Sequence, residues 1–423
     1  MNIESRLQEC INFPQQKEKL DGFKSVLEDI LSSSNHVQQL QDYIEAVLDE
    51  QVGLVIARQL LSEFIALFDE KITDHDVQKQ LLLFAIEHAQ PRAVSFEESL
   101  SLLREKLASV YEAEDEYLEA AKTLQGIPLD SGHRAISDDY KLQVYVRIVK
   151  LLLEEEEAVQ AEAYLNRAAL LIPNSNDPLL NLTFKLSQAR ILDAKRRFLE
   201  ACSKYHELSY VSQVEEDERI LCLTAAVQCA VLAGAGPQRS RSLATLYKDE
   251  RTHHLPFFSI LEKTYLERVI RPNEVSEFVA TLRSHHLARL ADNTTVFDRA
   301  IIEHNLLSAS KIYNNIAIDE LAALLNVSPE QAEQVAARMI SENRMVGSID
   351  QLDRLISFES GGAAREEQTA DLFSVGSGQA SIRVEQSMLE IMKWDTAIQS
   401  LCQDIDAVIT KVKAKHPDYM VSQ

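Results

Sequence analysis

A cluster of small residues returns about every 40 residues between roughly positions 95 and 250, each time after a helix-length run with a broad apolar face. The clusters are Leu118-Glu119-Ala120-Ala121, Ala161-Glu162-Ala163-Tyr164 and Leu199-Glu200-Ala201-Cys202. The faces before them are Leu103, Leu107, Val110 and Tyr111; Val144, Ile148, Leu151 and Leu152; and Leu186, Ala189 and Ile191. Small side chains let a second helix lie close on the first, so each unit reads as a helical hairpin and the series as a stacked solenoid. Breakers fall at Gly126-Ile127-Pro128, at Pro173 to Pro178 and at Gly234-Ala235-Gly236-Pro237. Val37 to Phe68 and Val77 to Ala89 continue the style upstream, for about six to seven hairpins in all. Such a solenoid has a long concave face for other chains and no built-in catalytic pocket.

Alternating β-branched runs are nearly absent except near Asn314 to Phe358, so the chain is expected to be mainly α. There, Leu321, Leu324 and Leu325 share one helical face, and Val335, Met339 and Ile340 share another. Ser328 suits an N-cap, Pro329 the first helical position and Gln331 the third, where its side chain closes a capping box. Met345 to Ile349 and Leu355 to Phe358 then read as a two-stranded wing around an acidic turn. Ala317 stands where a polar cap is expected before Ile318-Asp319-Glu320, so that helix start is expected to fray.

A helix-turn-helix usually sets its second helix in the major groove, which needs basic side chains against phosphate. Here Asp319, Glu320, Glu330, Glu333, Glu342, Asp350 and Asp353 face only Arg338, Arg344 and Arg354. The whole chain carries a net charge of −23 over 423 residues. Both balances argue against nucleic acid or an anionic membrane and favour basic protein surfaces.

The N-terminus has no apolar signal segment, and the longest weakly polar stretch, Leu223 to Gly236, is too short to span a bilayer. A soluble intracellular protein is expected. Five cysteines without a C-x-x-C pair fit a reducing compartment, with Cys222 and Cys229 as buried core thiols.

After a small, polar, glycine-rich stretch at 361–384, read as a flexible linker, periodicity returns strictly. Ile391, Trp394, Ile398, Leu401, Ile405, Val408 and Val412 are spaced alternately three and four apart, a heptad seam suited to packing with helices of other subunits.

No phosphate-binding glycine loop and no zinc-binding H-E-x-x-H or H-x-H is present. His253-His254 and His285-His286 are adjacent pairs, expected on loop or helix surfaces. Glu154 to Glu157 reads as a solvated helix end, and Lys195-Arg196-Arg197 and Arg239 with Arg241 as ordinary basic surface. No catalytic, cofactor or metal residue is nominated.

Helical hairpins that run into a winged helix and end in an assembly helix resemble the PCI-domain family, scaffold subunits of the proteasome lid, the COP9 signalosome and a translation initiation factor complex. Gln238 to Arg251, Ile301 to Ile316, Val159 to Leu171 and Val52 to Phe64 resemble the signalosome branch. The resemblance implies a TPR-like helical-repeat arm at 1–196 and a PCI domain at 197–360, whose helical part is 197–313 and whose winged helix is 314–360. The linker at 361–384 and an assembly helix at 385–416 complete the chain.

It also implies a non-catalytic subunit of the complex that removes the ubiquitin-like modifier Nedd8 from cullins, with the zinc isopeptidase in another subunit. Implied partners are the other PCI and MPN signalosome subunits and a neddylated cullin-RING ligase, in cytoplasm and nucleus. The winged helix would add an edge strand, Leu355, Ile356 and Phe358, to a neighbour. A loop at Ser284 to Val296, with His285, His286, Arg289, Asp292 and Asn293, would touch the inactive MPN partner and hold the enzyme idle. A lid subunit of the proteasome and a winged-helix nucleic-acid binder are the other readings.

Overall fold

Four helical hairpins carry the repeat: α6 (Glu97–Ala113) with α7 (Tyr117–Gln125), α8 (Asp138–Glu154) with α9 (Ala158–Leu171), α10 (Pro178–Ala194) with α11 (Phe198–Ser209), and α12 (Glu216–Leu232) with α13 (Pro237–Tyr247). The structure, a computed structural model, describes residues 3–13, 15–32, 37–72, 74–130, 136–175, 177–290 and 294–358, with 398, 401–402, 405 and 408–409. Five helices precede the hairpins: α1 (Ile3–Ile11), α2 (Gln16–Ser32), α3 (Val37–Val47), α4 (Leu54–Lys71) and α5 (His75–Ala89). The chain divides into two compact units, Met1–Ile356 and Ser357–Gln423.

The small-residue clusters do what their size dictates. Ala120, Ala121, Ala161, Ala201 and Cys202 are all buried, as are Leu103, Leu107, Ile148 and Leu152 on the facing helices. Ala163 and Leu186 depart from the expectation and stand exposed. The turns inside the first three hairpins carry none of the anticipated breakers. Asp115, Glu156 and Arg196 each adopt the left-handed conformation, with φ of 59°, 60° and 62°. In each turn the next backbone N–H reaches back to a carbonyl of the first helix: Glu116 to Tyr111, Glu157 to Leu152 and Arg197 to Leu192, all at 2.9 Å. This is the Schellman closure, made here without glycine. The Gly/Pro breakers at 126–128 and 173–178 lie between hairpins, whereas Gly234 to Pro237 joins α12 to α13.

Buried apolar side chains form two clusters that meet within α10, one running from Leu7 to Ile191 and the other from Ala189 to Phe297. The second cluster contains α14 (Phe258–Tyr265), α15 (Pro272–Val279) and the start of α16 (Val296–Ile312). Helix α16 packs against α12 on one side and against the winged-helix pair α17 (Ile318–Leu325) and α18 (Pro329–Ser341) on the other.

The capping box at Ser328 and Gln331 forms, with the Gln331 N–H donating to Ser328 Oγ at 3.3 Å. Ser328→Ala is expected to cost about 1 kcal/mol of stability in urea denaturation. Ala317 supplies no side-chain cap. The first turn of α17 is held instead by the sheet: the Ile318 N–H donates to the Arg354 carbonyl at 2.9 Å, and Arg354 pairs with Asp319 at 3.0 Å.

The sheet corrects two expectations. A third strand, β1 (Asn315–Ala317), joins β2 (Gly347–Asp350) and β3 (Leu355–Phe358) in the order β1-β3-β2. Leu355, Ile356 and Phe358 therefore lie on the central strand and not on an edge. Both sides of β3 already have a strand paired to them, and Ile356 and Phe358 are buried. The edges are β1 and β2.

Candidate functional site

Between α15 and α16 the backbone makes a short 3₁₀ turn at Ser284–His286 and closes through an antiparallel bridge between Arg289 and Thr295. Thr295 and Asp298 then form the capping box that starts α16. This loop base is anchored in the helical core, and the anchor corrects the surface reading of His286. His286 is 1% exposed, and its Nε2 lies 2.8 Å from Oδ1 of Asp193, itself buried on α10. The Arg283 N–H donates to His286 Nδ1 at 3.3 Å, so Nε2 carries the ring proton and donates to the carboxylate. Cys229 Sγ donates to the same oxygen at 3.4 Å. His285, half-buried, brings Nε2 to 3.4 Å from Oδ2 without hydrogen-bond geometry. The Ser284 hydroxyl donates to Glu156 in the turn between α8 and α9. Arg289 is exposed, and Asp292 and Asn293 lie outside the described residues.

Burial pushes the Asp193 carboxyl up, but the two imidazoles beside it pull it further down, to below the usual carboxylate range. Burial lowers His286 against the attraction of Asp193, which keeps the ring neutral. Burial and the Asp193 charge together push the Cys229 thiol well up, so it is an inert core group. Cys222, expected to be buried with it, is only half-buried, and all five cysteines are free thiols.

Asp193, His285 and His286 place one ligand atom each within 4.8 Å of one another, a grouping that invites a metal ion. The tautomer argues against that use. A metal-bound imidazole presents a lone pair on one nitrogen and a proton on the other, aimed at an acceptor. His286 Nδ1 faces a backbone N–H instead, so Nε2 holds the proton where a metal would need the lone pair. The cluster ties the loop base to the end of α10.

A second polar cluster lies on α16. Glu303 is buried and takes two bonds from Arg344, through Nη1 at 2.5 Å and Nη2 at 3.1 Å, and one from Arg299 Nε at 2.9 Å. Arg344 follows α18, so the bridge fastens the winged helix to the helical part. Gly234 makes room for it: a Cβ there would stand 3.3 Å from Arg344 Nη1. Burial raises the Glu303 carboxyl, while the hydrogen bonds from Arg344 and Arg299 bring it below its ordinary value. Arg239, expected on the surface, is buried on α13, with Nε and Nη2 donating to the Ala230 and Val231 carbonyls in the last turn of α12. Those carbonyls have no partner within the helix end, and the guanidinium fills that need.

The next two residues of α16 are buried as well. Asn305 holds the Ile270 backbone at both its N–H (2.8 Å) and its carbonyl (2.9 Å), and His304 Nε2 donates to the Arg268 carbonyl at 2.9 Å. Burial and the Arg239 charge lower His304 to about 4. A folded-state value below the unfolded one means that the unfolded chain binds the extra proton, so this contribution is complete above about pH 6.5 and is lost as pH falls. Urea stability is expected to drop by roughly 3 kcal/mol through His304 between pH 7 and pH 4, and His304→Gln is expected to flatten that part of the profile.

The remaining sequence-predicted sites are surfaces. On β2, Ser348 and Asp350 are exposed and Gly347 and Ile349 half-buried, and the strand's outer edge is unpaired among the described residues. In the second unit Ile398, Leu401, Ile405 and Val408 are helical and exposed, four of the seven seam positions. Ile391, Trp394 and Val412 lie outside the described residues. His253 and His254 are exposed, as expected. Among the described residues no helix is long and apolar enough to cross a membrane. The sequence reading missed Asp193, Glu303 and the burial of Arg239; for Glu303 a signal existed, the polar run Glu303-His304-Asn305 set between the apolar pairs Ile301-Ile302 and Leu306-Leu307.

Residues 12–217 match the family described as PSMD12/CSN4, N-terminal, and residues 274–360 match the PCI domain. The chain is 44% identical to COP9 signalosome complex subunit 4 of Arabidopsis thaliana over 407 residues, 95% of each chain. It is 41% identical to the protein of that name from Drosophila melanogaster, over 99% of this chain and 96% of the relative. For the Dictyostelium discoideum protein of that name the identity is 41%, over 99% of each. With identity of 41–44% over at least 95% of its length, the chain belongs to the COP9 signalosome complex subunit 4 family.

Proposed function

We propose that the chain is a non-catalytic scaffold and substrate-sensing subunit of the COP9 signalosome, the assembly that removes Nedd8 from the cullins of RING ubiquitin ligases. The observation that carries this reading is identity of 41–44% over at least 95% of the chain to relatives that bear the signalosome name. The isopeptidase belongs to another subunit. Partners are the other PCI and MPN subunits and the neddylated ligase, in cytoplasm and nucleus.

The unpaired edge of β2 supports strand addition, in which main-chain hydrogen bonds supply affinity. The exposed seam of the second unit supports a helical bundle with other subunits. The loop at 284–296 acts as the regulatory contact. Substrate favours the arm position in which the loop no longer stabilises the idle enzyme, by the margin with which it prefers that state. Purification of the tagged chain from its native host tests the reading. Other signalosome subunits and cullins are expected in the eluate, and proteasome base subunits in their place would overturn it.

A further inference from the structure

A cavity of about 430 Å³ is lined by residues from the turn and helix at 196–199, the end of α12, the start of α16 and the segment after α18. Its volume lies in the range that holds a small ligand or a few side chains. Phe198, Leu232 and Val296 give it an apolar wall, and Arg196, Arg299 and Arg344 also line it. The charge balance here is opposite to that of the chain. Glu303 and Glu342 offset Arg344 and Arg299, which leaves the exposed Arg196 unbalanced. Among the described residues neither the Arg196 guanidinium nor the terminal nitrogens of Arg299 have a polar partner. A site with one surplus cation thus sits in a chain of net charge −23.

We propose that this cavity binds a carboxylate-bearing peptide segment of a partner protein, with an acidic side chain between Arg196 and Arg299 and a neighbouring apolar side chain against Phe198 and Leu232. A nucleic acid does not fit the same facts. A long polyanion meets the repulsion of the whole acidic surface, whereas a single carboxylate responds to the field within about 8 to 10 Å of it. The apolar wall adds a demand that an inorganic anion leaves unmet.

The turn geometry provides a clean test. Arg196 sits at φ 62°, so Arg196→Gly removes the guanidinium while relieving an unfavourable conformation. The probe is a fluorescein-labelled octapeptide with two glutamates flanking a Leu-Phe pair, compared by anisotropy with its glutamine counterpart on the full chain. Binding in the range of roughly 10 to 100 µM is expected for the acidic peptide, at least tenfold weaker for the glutamine peptide. Arg196→Gly is expected to weaken the acidic peptide at least fivefold with no fall in Tm, and Arg299→Gln to weaken it further. Equal binding of the two peptides, or full binding by Arg196→Gly, would overturn the proposal. Saturation by benzoate at the concentrations that saturate with peptide would replace the partner segment with a small organic acid.

Discussion

Glu303→Ala is expected to lower the stability of the helical and winged-helix core by about 3 to 5 kcal/mol, the largest effect of any single substitution considered. The carboxylate is buried beneath Arg344 and Arg299, and within electrostatic reach of Arg239. Its loss leaves Arg344 with only the half-exposed Glu342 and takes from Arg299 its carboxylate partner. Urea denaturation at pH 7 measures the difference. Glu342→Ala, by contrast, is expected to cost less than about 1 kcal/mol, because Glu342 is half exposed to solvent and Arg344 keeps Glu303. Similar costs for the two substitutions would mean that the bridge does not hold the winged helix to the repeats.

Leu401→Glu combined with Ile405→Glu is expected to abolish recovery of other subunits while leaving the Tm of the isolated chain unchanged. The two residues are 60% and 49% exposed, so substitution there changes the chain's own stability by no more than about 0.5 kcal/mol. In a bundle the same positions become a dry seam, and burying two unpaired carboxylates there costs several kcal/mol. At about 1.4 kcal/mol for each tenfold change, that is a hundredfold or greater loss of association. A matching fall in Tm would show instead that the seam packs within the chain.

The repeat and the capping box were legible because each rests on spacing between residues near in sequence. Ala120, Ala161 and Ala201 announce close helix packing by size, and Ser328-Pro329 announces a helix start by chemistry. The hairpin turns at Asp115, Glu156 and Arg196 were silent, since charged residues in the left-handed conformation look like any solvated loop. Strand β1 is three residues long, too short to show alternation, and it alone decides that β3 is central. The buried polar groups were hidden for another reason. Arg239 reads as surface until the α12 carbonyls are placed beside it, and His286 until Asp193, 93 residues away, is brought to its ring. Their roles are set by tertiary contacts that no local pattern encodes.

The central claim is that this chain is built to assemble, with the segment after the winged helix as its assembly element. Deleting Gly361 to Gln423 in the native host, recovering the tagged chain and assaying the eluate for Nedd8 release from a modified cullin tests it most directly. The full-length chain is expected to bring down the other subunits with deneddylating activity, and the truncated chain neither. Normal assembly and activity with the truncated chain would contradict the account and move the main interface to the repeats or the sheet edge.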